Sequence, residues 1–358
     1  MVAPNRSGRL GAALVVLLAL AAALAFARAT TSEGSERALA ARTAAGSPHG
    51  SLRATAFAQV PTTWRGGAIT ASTGEVVRVF VSGSLPAETV TPEAWAEFLV
   101  GLTHGPELGA LTTYLATLAE VAELCGDNAL GCYRANRMVS LGETLPDGTT
   151  PEEVVRHEYG HHVGFHRQNP PWRAIDWGPK SWASTANVCA RTARGEAYPG
   201  DGARNYALNP GEAWAEVYRL MDERKAGITT ATWQIVAPSF YPSDAALHAA
   251  ERDVLAPWTR ARTLSFRRSL GNAGPKVWWI PVSTPLDGNL TLTAALPRGG
   301  EQEVALVAGN RKTVLQRGQW VSQRAKRLAR AVCGQRSLFV RVTQRGAPGP
   351  VRLTFTAP

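Results

Sequence analysis

His157 and His161 are four residues apart, and Glu158 stands beside the first of them in an H-E-x-x-H pattern. On a helix, positions four apart share a face about 6 Å apart, so both imidazoles can bind one Zn²⁺. Glu158 then sits where it can take a proton from a water that the metal activates. The chain has seven histidines in 358 residues, and four of them fall between His157 and His166. That concentration predicts a metal site built around this stretch.

The flanking residues predict the helix that such a site needs. Thr150 suits an N-cap, Pro151 the first helical position, and Glu153 the partner that closes a capping box. At 100° per residue, Val155, Tyr159 and Val163 fall on one side, which should pack inward. His157 and His161 fall on another. Asn169-Pro170-Pro171 is expected to end the helix.

A zinc site needs a third protein ligand, and the second stretch with matching chemistry is Asn209 to Met221. Asn209 and Pro210 start a helix, and Glu212 and Glu216 share one face of it. Glu212 is expected to be the third ligand, and Glu216, one turn deeper, the hydrogen-bond acceptor for a zinc-bound imidazole. Glu212 could instead close a capping box with Asn209.

The rest of the chain must position these two helices. Residues 1–29 carry a basic start, an apolar run from Leu10 to Phe26 and an Ala27-Arg28-Ala29 cleavage pattern, and read as a signal peptide. Retention as a membrane anchor is the alternative, since 17 apolar residues are just long enough to span. Residues 30–67 read as a polar linker or pro-segment. In residues 68–263, Glu75–Ser82 reads as a strand, Thr91 to Gly101 as a helix, Leu108 to Val121 as another helix, and Arg137–Leu141 as an edge strand that holds extended substrate. Residues 170–209 form a long connection in which Trp172, Trp177 and Trp182 are expected to make a local core. Residues 264–358 alternate Thr/Val/Leu runs with Gly/Pro turns and predict a β-sandwich of about six strands.

Cysteine and charge usage bound the setting. Cys125, Cys132, Cys189 and Cys333 allow three pairings, of which Cys125–Cys132 with Cys189–Cys333 is favoured by the short first loop. An exported chain can keep such bridges. The net charge of +10 is uneven, with 15 Lys/Arg against 3 Asp/Glu in residues 264–358. That segment could meet an anionic cell surface or another polyanion, while no nucleic-acid module is present.

His157-Glu158-Tyr159-Gly160-His161 with Glu212-Ala213-Trp214-Ala215-Glu216 resembles the zincin zinc metallopeptidases, and within them the gluzincins of the lethal-factor type. The resemblance covers roughly residues 75–260. It implies an α+β chain with a mainly helical, zincin-like catalytic domain bearing a small sheet, followed here by the all-β sandwich. It also implies a transition-state tyrosine shortly before Glu212, which maps to Tyr206, with Tyr198 as second choice. The chain departs from thermolysin-like enzymes in the 50 residues between His161 and Glu212. The metzincin pattern is nearly met, but Arg167 stands at its third histidine position. His166 comes one residue early, about 140° away on a continuous helix. The C-terminal segment resembles the sandwiches appended to secreted bacterial peptidases.

The function expected from this reading is a secreted zinc endopeptidase acting on protein or peptide substrates. His157, His161 and Glu212 would be ligands, Glu158 the general base and Tyr206 an oxyanion donor. The alternative is a metal-bearing, non-proteolytic adhesin or cell-wall binder, which would have no use for Glu158.

Overall fold

The computed structural model describes residues 63–228, 235–272 and 274–358, all within one compact unit. The expected signal peptide and nearly all of the expected linker lie outside these residues. The architecture is α+β: a helical domain with a small sheet, then a β-sandwich.

The small sheet contains β1 (Arg65–Thr70), β2 (Val76–Val81), β3 (Thr112–Ala116), β4 (Gly131–Arg134) and β5 (Arg137–Leu141), in the order β1-β2-β3-β5-β4. β2, β3 and β5 are parallel, while β1 and β4 run antiparallel at the two edges. Successive side chains alternate faces. Val77, Val79, Val81, Leu115 and Met138 therefore enter the main core with α1 (Pro92–Gly101). Phe80, Tyr114, Ala116 and Val139 face the opposite way, under α2 (Leu118–Cys125).

Two expectations change here. The span Leu108 to Val121 is not one helix but a 3₁₀ turn (Pro106–Ala110), the central strand β3 and the start of α2. Thr112, Thr113 and Tyr114 favour a strand, and Thr117 with Glu120 forms a capping box that sets the helix start later. Arg137–Leu141 is a strand but not the edge. β4, only four residues long, lies outside it, joined through a turn at Ala135 and Asn136, both of positive φ. The Cys125–Cys132 bridge ties β4 to the end of α2.

The motif helix is α3 (Pro151–Phe165), capped by Thr150 and Glu153 as expected. It ends at the C-cap His166, ahead of the expected Asn169-Pro170-Pro171 stop. The long connection folds into α4 (Ala174–Trp177), α5 (Lys180–Thr185) and α6 (Val188–Ala193). Trp182 is core, edge-on to Trp214, whereas Trp172 and Trp177 stack on each other half-buried. α7 (Pro210–Lys225) and α8 (Asp244–Leu255) complete the helical part.

The sandwich has nine strands among the described residues: β6 (Arg262–Leu270), β7 (Val277–Ser283), β8 (Gly288–Ala295), β9 (Glu303–Ala308), β10 (Val314–Arg317), β11 (Gln319–Ser322), β12 (Ala325–Val332), β13 (Ser337–Thr343) and β14 (Gly349–Ala357). They form sheets ordered β10-β9-β13-β7 and β11-β12-β8-β14-β6 around their own apolar core. The junction with the helices is built. Cys189–Cys333 bridges α6 to the sandwich. Lys180, wholly buried, donates to the Pro170 and Asp287 carbonyls at 2.7 and 2.9 Å. Burial pulls its pKa down to about 8, against Asp287 and Asp253.

Candidate metal centre

α3 and α7 cross in close contact, because small residues meet at the crossing. A Cβ added at Gly160 would lie 2.7 Å from the Ala215 Cα. Trp214 Nε1 donates to the Gly160 carbonyl at 2.7 Å, and Arg156 donates to Asp222 at 2.9 Å, which fixes both register and rotation. Asp222 in turn accepts the Thr103 N–H.

That crossing brings the three expected ligands together. His157 Nε2 and His161 Nε2 are 3.2 Å apart, and Glu212 Oε2 lies 3.4 and 3.2 Å from them. All three residues are buried, and their donor atoms fall within 4.8 Å of one another. Two imidazole nitrogens and a carboxylate oxygen are a donor set that could hold a metal ion. Glu212 does not close a capping box, since the Asn209 side chain accepts the Gly211 N–H instead.

The electrostatics also favour a cation. Burial alone would lower the His157 pKa, but the Glu212 and Glu216 carboxylates outweigh it and raise it to about 10. Glu216 Oε2 lies 3.8 Å from His157 Nδ1, on the ring side opposite Glu212. Glu216 is itself held by Arg219, whose guanidinium also reaches Glu223 at 2.7 Å. Burial disfavours its charge, yet Arg219 and His157 hold its pKa at about 2. A negative, buried pocket that raises imidazole basicity could take a metal cation in place of the proton.

Glu158 is nearly inaccessible and packs against the edge strand β4. A Cβ at Gly131 would lie 2.6 Å from its Oε1, so glycine leaves the room that this carboxylate occupies. Tyr206, in the 3₁₀ turn before α7, donates from its hydroxyl to Glu212 Oε2 at 3.0 Å. Burial and the neighbouring Glu212 push its pKa well above the ordinary tyrosine value. Tyr198 is more than a third exposed and joins this turn through its backbone N–H to the Leu208 carbonyl. His166 bonds Asn136 Oδ1 at 2.7 Å, away from the three donors. Met221 is buried within α7, not in a turn.

Sequence reading assigned no role to His162, the fourth histidine of the cluster. Its Nε2 donates to the Glu107 carbonyl at 2.8 Å, so its Nδ1 accepts, at 3.0 Å, from the Tyr133 hydroxyl on β4. Tyr133 also accepts the Asn136 N–H. Glu107 continues the network through Arg167 at 2.9 Å and Tyr159 at 3.2 Å. The motif helix thus grips the edge strand. The only sequence signal was the density of histidines, which does not name their partners.

No protein-family model matches the chain, and no curated protein matches it. Among solved structures it is similar to the pre-peptidase C-terminal domain of a collagenase from Bacillus anthracis. That likeness covers 25% of this chain and 86% of that chain at 13% identity, with a TM-score of 0.22. At that score the likeness carries no argument, and the functional reading rests on the site itself. The two disulfides suggest an exported, extracellular setting. Among the described residues no helix is long and apolar enough to cross a membrane.

Proposed function

We propose that the protein is a secreted, zinc-dependent endopeptidase of the zincin type. The observation that carries this reading is the convergence of His157, His161 and Glu212 beside Glu158, with Glu158 lodged against an edge strand. His157, His161 and Glu212 would hold Zn²⁺, and Glu216 with Arg219 behind it would orient His157. When bound, the metal supplies Lewis acidity toward the scissile carbonyl and acidifies water.

The chain's own residues supply the remainder. β4 offers its outer edge to an extended peptide by strand addition, beside the motif helix. Glu158 takes the proton of the attacking water and delivers it to the leaving amine. The Tyr206 hydroxyl, which donates its one proton to Glu212 Oε2 here, would turn that proton to the developing oxyanion once Glu212 is engaged by the metal, an effect of about 3 kcal/mol for a well-aimed donor.

The test is the metal content of the purified protein, by mass spectrometry, alongside Glu212→Ala. One zinc per chain, lost in the variant, is expected. A parent without metal would remove the catalytic reading, and a Glu212→Ala protein with full metal would remove this ligand assignment.

A further inference from the structure

The sandwich has one face whose charge nothing in the fold explains. The strands β6, β8, β11, β12 and β14 contain no Asp or Glu. Their inward residues, such as Leu264, Phe266, Leu328 and Leu353, fill the core. Arg267, Arg327 and Arg352 have the opposite parity and are exposed. Arg267 and Arg352 are direct partners across the β6–β14 antiparallel pair. Like charges placed opposite each other in this way destabilise a sheet.

No carboxylate relieves them among the described residues. The three acids of the sandwich segment are Asp287, Glu301 and Glu303. Asp287 is buried against Arg336 at the junction, and Glu303 is taken by Arg317, Arg341 and Arg345. Glu301 lies in the loop before β9. The same registers place Arg327 beside Thr293 and Thr293 beside Thr354, which pairs with Ser265. A row of short hydroxyl side chains therefore runs across the sheet next to the arginine pair. At standard strand spacings, Arg267 and Arg352 stand about 5 Å apart, and Arg327 stands about 12 Å from Arg352.

We infer that this face binds a linear anionic polysaccharide. Its anionic groups answer the unpaired guanidiniums, which suit sulfate and carboxylate geometry. Its hydroxyls answer the threonine and serine row. The aromatic and large aliphatic residues of β6, β8, β12 and β14 point inward. The exposed large apolar residues of this sheet, Trp320 and Val321, lie on the edge strand β11. There Trp320 pairs with Lys326, on the parity opposite Arg327, and is covered by the Lys326 ammonium. The arginine rows themselves therefore carry no stacking platform for nucleic-acid bases. The inference is independent of the metal centre and holds whether or not the protein is a peptidase.

The test is binding of the full chain to heparin, used as a sulfated glycan probe, across a salt series. Two triple variants of equal charge are compared: Arg267→Gln/Arg327→Gln/Arg352→Gln, and Lys276→Gln/Arg298→Gln/Lys312→Gln on exposed positions outside the face. The face variant should bind at least about tenfold more weakly, with the slope of log affinity against log salt reduced by roughly two to three. It should also melt no lower than the parent, since like-charge opposition is removed. The control variant should stay within about twofold of the parent. Equal losses in both variants would reduce the effect to net charge and overturn the inference. So would parent binding to phosphatidylserine vesicles but not to the glycan, or no binding at all.

Discussion

Glu158 is the residue on which the proposed catalysis turns, because its position separates metal binding from chemistry. It is not one of the three converging donors, and its carboxylate fills the space that Gly131 leaves open. Glu158→Gln keeps the shape and a hydrogen-bonding head but cannot take a proton. This variant is expected to retain one metal per chain while peptide cleavage falls by at least about 100-fold, the usual scale of general-base loss. Paired metal analysis and a peptide-cleavage assay would check it. Undiminished cleavage would transfer the base role elsewhere. At this scale the sequence was informative: His157, His161 and Glu212 were named from spacing, and the fold brings all three together. His162 was present in the same cluster but unreadable, because its partners Tyr133 and Glu107 are 29 and 55 residues away.

Among the elements, the contact of α3 with β4 depends on protonation. Burial, the dominant cause, lowers the His162 pKa from 6.5 to about 4, with the Glu107 carbonyl opposing. A histidine lowered on folding binds fewer protons than it does in the unfolded chain. Its contribution is therefore complete above about pH 6.5 and is lost as the pH falls toward 4, on the order of 3 kcal/mol in all. Glu107 adds to the same trend. Burial opposes its charge, but Arg167 and the Gly105 N–H outweigh it and hold its pKa below 4.5. Its contribution is full above 4.5 and lost as the pH falls through the lowered value. The parent Tm is expected to drop between pH 6.5 and 4, and His162→Gln should show a flatter curve over that window. Parallel curves for the two proteins would dissociate His162 from the acid sensitivity. Strand β3 and edge strand β4 are also where element assignment departed from the sequence. β3 is separated from the 3₁₀ turn and from α2 by single residues, Leu111 and Thr117, so its period-2 pattern merges with helical spacing on both sides, and β4 is only four residues long.

In the whole molecule the sandwich is fastened to the helical part rather than strung behind it. Cys189 and Cys333 are 144 residues apart, and a cross-link closing a loop of that size stabilises by about 4–5 kcal/mol on the chain-entropy account. Lys180, bonded to the Asp287 carbonyl across the junction and to the Pro170 carbonyl on its own side, reinforces it. Replacing both cysteines, Cys189→Ser with Cys333→Ser, is expected to lower the Tm by roughly 10 °C for a chain of this size, with metal content preserved. Calorimetry with metal analysis would show it. Loss of metal at unchanged Tm would mean that the bridge serves the site and not the fold.

What the sequence determined by itself was local chemistry. A capping box at Thr150, histidines at helical spacing, an acidic pair on the α7 helix and alternating Thr/Val/Leu runs are all encoded within a few residues. They were sufficient for the α+β class, the sandwich and the three candidate ligands. The disulfide pairs followed from one short loop and elimination. Tertiary structure decided what depends on contacts between distant residues: that β4 and not β5 is the edge, and that His162 holds that edge to the motif helix. It also decided that Arg219 fixes Glu216, and that Arg267 and Arg352 face each other with no counter-charge among the described residues. The physical reason is that strand order and cross-strand register follow from how two faces of a sheet are covered, and only the folded chain brings those coverings together.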